Sequence, residues 1–197
     1  MSHENFISGR TQDEVWEKIT AQFLDDPDPL EYSAVIEHES RKIALNIDID
    51  LGGGFESGFE STTFAAHLNT SPSFRFAIHE KHFTDEIGKF FGMEDVEIGF
   101  EEFDKALILK TNDTLKLKDI FSDSAVRAVF QSLTDFTFGI THHHASGDLP
   151  GEPFLELQIE HGITNVERLR QIYNAFYSVL AKVDAFVKTP HNTEQVN

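Results

Sequence analysis

The chain has 197 residues, 40% of them apolar, and carries 16 Lys plus Arg against 34 Asp plus Glu, for a formal charge of -18. Such a surface repels phosphate backbones and anionic bilayers, and no basic stripe offsets it, so nucleic acid and membrane are excluded as partners. The chain has no cysteine, which removes disulfides, thiolate metal sites and cysteine nucleophiles together. No stretch approaches the roughly 18 apolar residues of a membrane span, and a cytoplasmic protein is the expectation.

Length and apolar content suit one domain with a full core. Phenylalanine dominates the aromatics, with 19 residues against three Tyr and one Trp, so the core is expected to be built from flat rings packed on half-buried strands.

Residues 1–10 are polar and read as loose. Thr11 and Glu14 then have capping-box spacing, and Val15, Trp16, Ile19 and Phe23 mark one helical face. The DDPDP run at 25–29 stops that helix, because proline has no amide to donate.

From 32 to 80 the period drops to two, with strands expected near 32–38, 42–51, 61–69 and 73–80. In the second of these, Ile43, Leu45, Ile47 and Ile49 alternate with Ala44, Asn46, Asp48 and Asp50. One face buried and one wet is the signature of an antiparallel sheet, since strands covered on both faces read apolar throughout. Between strands, the Gly54 to Ser57 sequence repeats as Gly58 to Ser61. A phosphate-cradling loop would need a helix to follow, and here a strand does.

Residues 83–113 carry every kind of punctuation. Thr84 caps a short apolar helix ended by Gly92; Val96 and Ile98 alternate with acids; Gly99 to Asp104 turns; residues 106–109 are apolar on both faces, as in a central strand; Asn112 or Asp113 caps the next helix. Residues 114–133 read as one bent helix or two, broken near 122–124. Phe136, Phe138 and Ile140 begin a strand answered by Phe154, Leu155, Leu157 and Ile159. The last helix opens on Thr164 and Glu167 at capping-box spacing and continues through Leu169, Tyr173, Phe176, Leu180 and Val183. Its apolar stripe is too wide for a coiled-coil seam and suits packing across a sheet.

Three clusters bear on chemistry. His142, His143 and His144 sit on a long connection and are the candidate ligands of a divalent metal, because imidazole is the commonest metal ligand. Adjacent histidines on a strand point to opposite faces, so only two converge without an irregular turn. The HEKH sequence at 79–82 spaces its histidines three apart, not the four that a zinc-protease helix requires. The acids at 46–50 and 94–104 lack the compact glycine turn of a calcium loop and read as solvated faces.

Residues 87–113 resemble a bacterial family known only as a domain of unknown function. The likeness lies in the apolar helix ending at Gly92, the Glu94-Asp95-Val96-Glu97-Ile98-Gly99 run, the Phe103-Asp104 pair, an apolar strand, and Asn112-Asp113 before a helix; Phe100 departs from the pattern. The resemblance implies no catalytic residue. It implies structural turns, with Gly92, Gly99, Phe103, Asp104, Asn112 and Asp113 as the residues that build them. The order helix, strands, helix, strands, helix is also similar in architecture to type III secretion chaperones, which implies a sheet face or groove offered to an extended client.

These observations predict an α+β fold. A single antiparallel sheet of about six strands is packed on one face by N-terminal, middle and long C-terminal helices. One domain is expected over 11–188, with flexible tails at 1–10 and 189–197. The predicted role is noncatalytic protein or peptide binding, chaperone-like, by a monomer or homodimer. The alternatives are a metal-dependent hydrolase using the histidine and carboxylate clusters, or a small-ligand-binding domain.

Overall fold

A computed structural model of the protein describes residues 5–53, 57–69, 73–81, 93–143 and 151–188. In chain order its elements are β1 (Asn5–Ser8), α1 (Gln12–Asp25), β2 (Glu31–His38), β3 (Arg41–Asp50), β4 (Phe59–His67), β5 (Phe76–Glu80), β6 (Glu94–Asp95), α2 (Glu101–Ala106), β7 (Leu107–Thr111), α3 (Thr114–Ile120), α4 (Ser124–Gln131), β8 (Phe136–His143), β9 (Glu152–Ile159) and α5 (Val166–Lys188). The helix expected at 84–92 with Gly92, the residue His144 and the tail at 189–197 lie outside the described residues. No helix among the described residues is long and apolar enough to cross a membrane.

The strands form one sheet in the order β1-β2-β3-β4-β9-β8-β5-β7-β6. It is α+β as expected, but with nine strands among the described residues rather than about six, and the sheet is mixed, because β1 runs parallel to β2. The extra edge strand comes from the stretch read as loose: Phe6 pairs with Val35 and Ile7, 3% exposed, with Ile36. Four residues are too few to show a period, and the strand exists by borrowing the open edge of β2. The β8–β9 hairpin inserts between β4 and β5, so the pairings on either side of it, β4 with β9 and β5 with β8, join residues far apart in sequence.

Register places one apolar row across the inner face: Ala34, Leu45, Phe64, Leu157, Phe138, Ile78 and Leu109. The neighbouring row on the opposite face reads Ser33, Asn46, Thr63, Gln158, Thr137 and His79. The helices pack on the inner face through rings. Phe176 of α5 meets Phe64 and Phe138 at 6.0 and 5.9 Å; Phe130 of α4 stacks on Phe138 at 4.7 Å; Phe121 reaches Phe103, Phe76 and Phe130. Offset and edge-on ring pairs each add roughly 0.5–1.5 kcal/mol beyond burial. The apolar strand faces and most described phenylalanines are therefore under the helices and not available as an exposed contact surface.

Several boundaries differ from the sequence reading for local reasons. Residues 101–106 form a helical turn, α2, where only a loop was expected. β7 alternates buried and half-buried residues and lies next to the edge, so its apolar character is not that of a doubly covered strand. The expected strand at 96–98 is two residues early, at Glu94 and Asp95, with the Val96 amide also donating to Leu109. Asn165, and not Thr164, caps α5, its Oδ1 accepting from the Arg168 amide at 2.8 Å, while the Thr164 hydroxyl turns to Asp28. At α1 the Thr11 hydroxyl accepts from Glu14 N as expected, but the Glu14 carboxylate reaches one residue further back, to Arg10 N.

Candidate functional site

The β2–β3 hairpin pairs His38 with Arg41 and leaves two residues in its turn. Two-residue hairpins need positive φ to match strand twist, which Asn-Gly supplies at little cost. Here the residues are Glu39 at φ 48° and Ser40 at φ 64°. A left-handed residue with a Cβ costs about 1–2 kcal/mol, so something must hold the turn.

Side chains of α5 do so. Tyr177 Oη donates to Glu39 Oε2 at 2.6 Å and accepts from Arg41 Nη1 at 2.9 Å. Arg41 Nε donates to Asp184 Oδ2 at 2.8 Å, and the guanidinium lies 5.2 Å over the Tyr177 ring. Tyr177 and Asp184 are seven apart, two helical turns, which presents both to the same turn. The Tyr177 bond holds the Glu39 carboxyl below the usual range, with the charges of His38 and Arg41 assisting against slight desolvation. Burial, then the bond to Glu39, raises the Tyr177 phenol. His38, 6% exposed, packs 5.4 Å from the Tyr177 ring, and its Nδ1 has no hydrogen-bond partner among the described residues.

Beside this hub lies a cavity of about 560 Å³ between the turn, the end of β4 and α5. Its floor is aliphatic: Ala66, Leu68 and Leu180, each 2% exposed. Its rim is charged and polar, with Glu39, Ser40, Arg41, Lys42, His67, Asn69 and Asp184. A second recess, about 440 Å³, lies against the same turn and is lined by Arg10, Glu14, Lys18 and His38 among others.

The sequence-derived candidates fall in two places. His142 and His143 end β8 opposite Pro153 and Glu152, at the same end of the sheet as the cavity. His143 Nε2 is 2.7 Å from Glu156 Oε2 and its ring lies 4.7 Å from Phe154; His67 flanks the same ring at 5.2 Å, 3.7 Å from Glu152. Among the described residues no group of three or more His, Asp or Glu is placed to hold a metal ion. Elsewhere His161 Nε2 faces both Asp135 at 3.1 Å and Thr134 at 3.4 Å. A catalytic relay needs carboxylate and nucleophile on opposite ring nitrogens, so these three do not form one.

The remaining candidates build the turns at 98–113. Asp104 accepts from Ile98 N at 3.0 Å and Gly99 N at 2.8 Å, Gly99 stands at φ 84°, and Phe103 is 1% exposed against Phe121. Asp113 caps α3 through Lys116 N. Asn112 does not cap; its side chain clamps the entry to β5, accepting from Arg75 N and donating to Ser73 O. Phe100 lies 3.7 Å beneath the Arg127 guanidinium, with Lys118 at 5.7 Å.

No family model, curated protein or solved structure matches this chain. The case for a site therefore rests on geometry. Sequence reasoning missed Glu39, Arg41, Tyr177 and Asp184 because each looks ordinary alone: a polar hairpin tip, and two residues on a helix stripe. The available signal was the pair of polar groups at 177 and 184 bracketing Leu180 on an otherwise apolar face.

Proposed function

We propose that the protein is a noncatalytic binding module that receives a peptide segment in the cavity between the Glu39–Lys42 turn and α5. The observation that carries this reading is the aliphatic floor of Ala66, Leu68 and Leu180 beneath a rim whose charges are held in place by Tyr177 and α5. An apolar floor supplies affinity and a few fixed polar groups supply orientation. Pre-ordering by the hub lowers the entropy lost on binding. A volume of about 560 Å³ also fits a compact small ligand, which is the second reading. The metal-dependent hydrolase has no supporting geometry among the described residues.

Selection from a random peptide library on the immobilised protein tests this. Asn69→Trp, an exposed substitution at the cavity mouth, serves as counter-selection. Enrichment by the wild type and its loss in the variant supports the reading; no enrichment, or equal enrichment by both, overturns it.

A further inference from the structure

We propose that the cavity recognises the C-terminal carboxylate of a peptide whose last side chain is aliphatic, an inference that rests on the peptide-binding reading above. Arg41 is the reason. Two of its nitrogens are occupied, Nε by Asp184 and Nη1 by Tyr177 with Glu39 at 3.9 Å, while Nη2 has no hydrogen-bond partner among the described residues. The side chain is 23% exposed and lines the cavity. Its guanidinium is thus fixed in orientation by a carboxylate, a phenol and a ring face, with one nitrogen and its two donors left for a ligand. A planar, pre-oriented guanidinium is the side chain best matched to a carboxylate.

The two acids on the rim already accept strong donors, Glu39 from Tyr177 and Asp184 from Arg41. In a chain of net charge -18, anions are repelled from most of the surface, so a carboxylate gains affinity only where donors are concentrated.

The floor selects among carboxylates. Ala66, Leu68 and Leu180 line the same cavity as Arg41, so a ligand that fills it offers an aliphatic group and a carboxylate together. A chain-terminal Leu, Ile or Val carries both on one Cα. An internal Asp or Glu places its charge where the floor needs hydrocarbon.

The test uses two pools of N-acetylated tetrapeptides randomised at their last two positions, one with a free carboxyl and one amidated, with retention on the full-length protein read by mass spectrometry. The acid pool is expected to be retained at least tenfold more than the amide pool and to be enriched in aliphatic last residues. Arg41→Gln is expected to bring that ratio near one in a variant confirmed folded by circular dichroism. Equal retention of the two pools would overturn the carboxylate inference and leave peptide binding standing. Retention of neither pool overturns both. If 4-methylpentanoate displaces the acid pool at equal concentration, the ligand is a free small carboxylate and the peptide terminus is ruled out.

Discussion

Tyr177 Oη donates a 2.6 Å hydrogen bond to Glu39 Oε2 across 138 positions of sequence, tying a strained hairpin tip to the C-terminal helix. Tyr177→Phe removes that donor and also the acceptor for Arg41 Nη1. A hydrogen bond to a charged group stabilises the fold, and solvent screening of the exposed carboxylate weakens it, so a modestly lower midpoint is expected in urea unfolding. The substitution also releases the Glu39 carboxyl. Its pKa is depressed in the folded state, so its contribution is present above the unfolded carboxylate range and is lost as pH falls through the folded value. In Tyr177→Phe this acid-side loss should shrink. A midpoint that does not move, with the same acid profile as wild type, would show that the bond does not hold the turn.

The three tyrosines of the chain give an alkaline test. Burial pushes Tyr32 up to about 12, raises Tyr173 further, and together with the bond to Glu39 raises Tyr177. A raised folded pKa means stability is complete below the unfolded value near 10 and is lost as pH climbs toward the folded one. Absorbance at 295 nm should therefore show little phenolate at pH ~10, where a free tyrosine is about half ionised, and phenolate should emerge together with loss of the far-ultraviolet dichroism. Independent titration of one tyrosine near 10 in the intact fold contradicts these environments.

Much of the fold could be read from periodicity because local burial decides it. The face of α1, with Val15, Trp16, Ile19 and Phe23 buried, and the inward set of β3, Ile43, Leu45 and Ile47, follow directly from spacing. What spacing cannot carry is partnership. That β9 lies beside β4 and β8 beside β5 depends on matching rows of Leu157 and Phe138 with Phe64 and Ile78, a match visible only once the sheet is assembled. The hub has the same character: neither Glu39 nor Tyr177 signals its partner. The Phe103-Asp104 pair was legible because its contacts are local, five and six residues away.

Asp104→Ala isolates that local turn. Its carboxylate accepts two backbone amides, Ile98 N and Gly99 N, next to a left-handed glycine and a buried phenylalanine. Without it one or both amides lose their partner, and an unsatisfied donor costs about 1–3 kcal/mol when water cannot replace the acceptor. The unfolding midpoint should fall accordingly, while Asp104→Asn, which retains one carbonyl acceptor, should recover part of the loss. An unchanged midpoint in the alanine variant removes the turn from the list of stabilising features.

Gly139→Ala probes the centre of the sheet. A Cβ there would stand 2.4 Å from Phe76 O and 3.0 Å from Ala77 Cα, both backbone atoms of β5. Neither can swing aside as a side chain would, so β5 and β8 must separate where Gly139 pairs with Ala77. Overpacking of this kind costs roughly 1–3 kcal/mol, read as a lower thermal midpoint with faster exchange of the β5 amides. A neutral substitution would mean that the two strands already sit further apart than this register requires.

Ser40→Gly should act in the opposite direction. Ser40 holds φ 64° in the two-residue turn beside Glu39 at φ 48°, and a glycine occupies that region without steric cost. Relief of about 1–2 kcal/mol of left-handed strain is partly offset by the larger entropy of glycine in the unfolded chain, roughly 0.5–1 kcal/mol. A net gain of about 0.5–1 kcal/mol is expected in urea unfolding. The Tyr177 and Arg41 bonds involve neither the Ser40 side chain nor its amide, so the gain reports the turn backbone alone. An unchanged or lower midpoint would show that the left-handed pair carries no strain that glycine relieves.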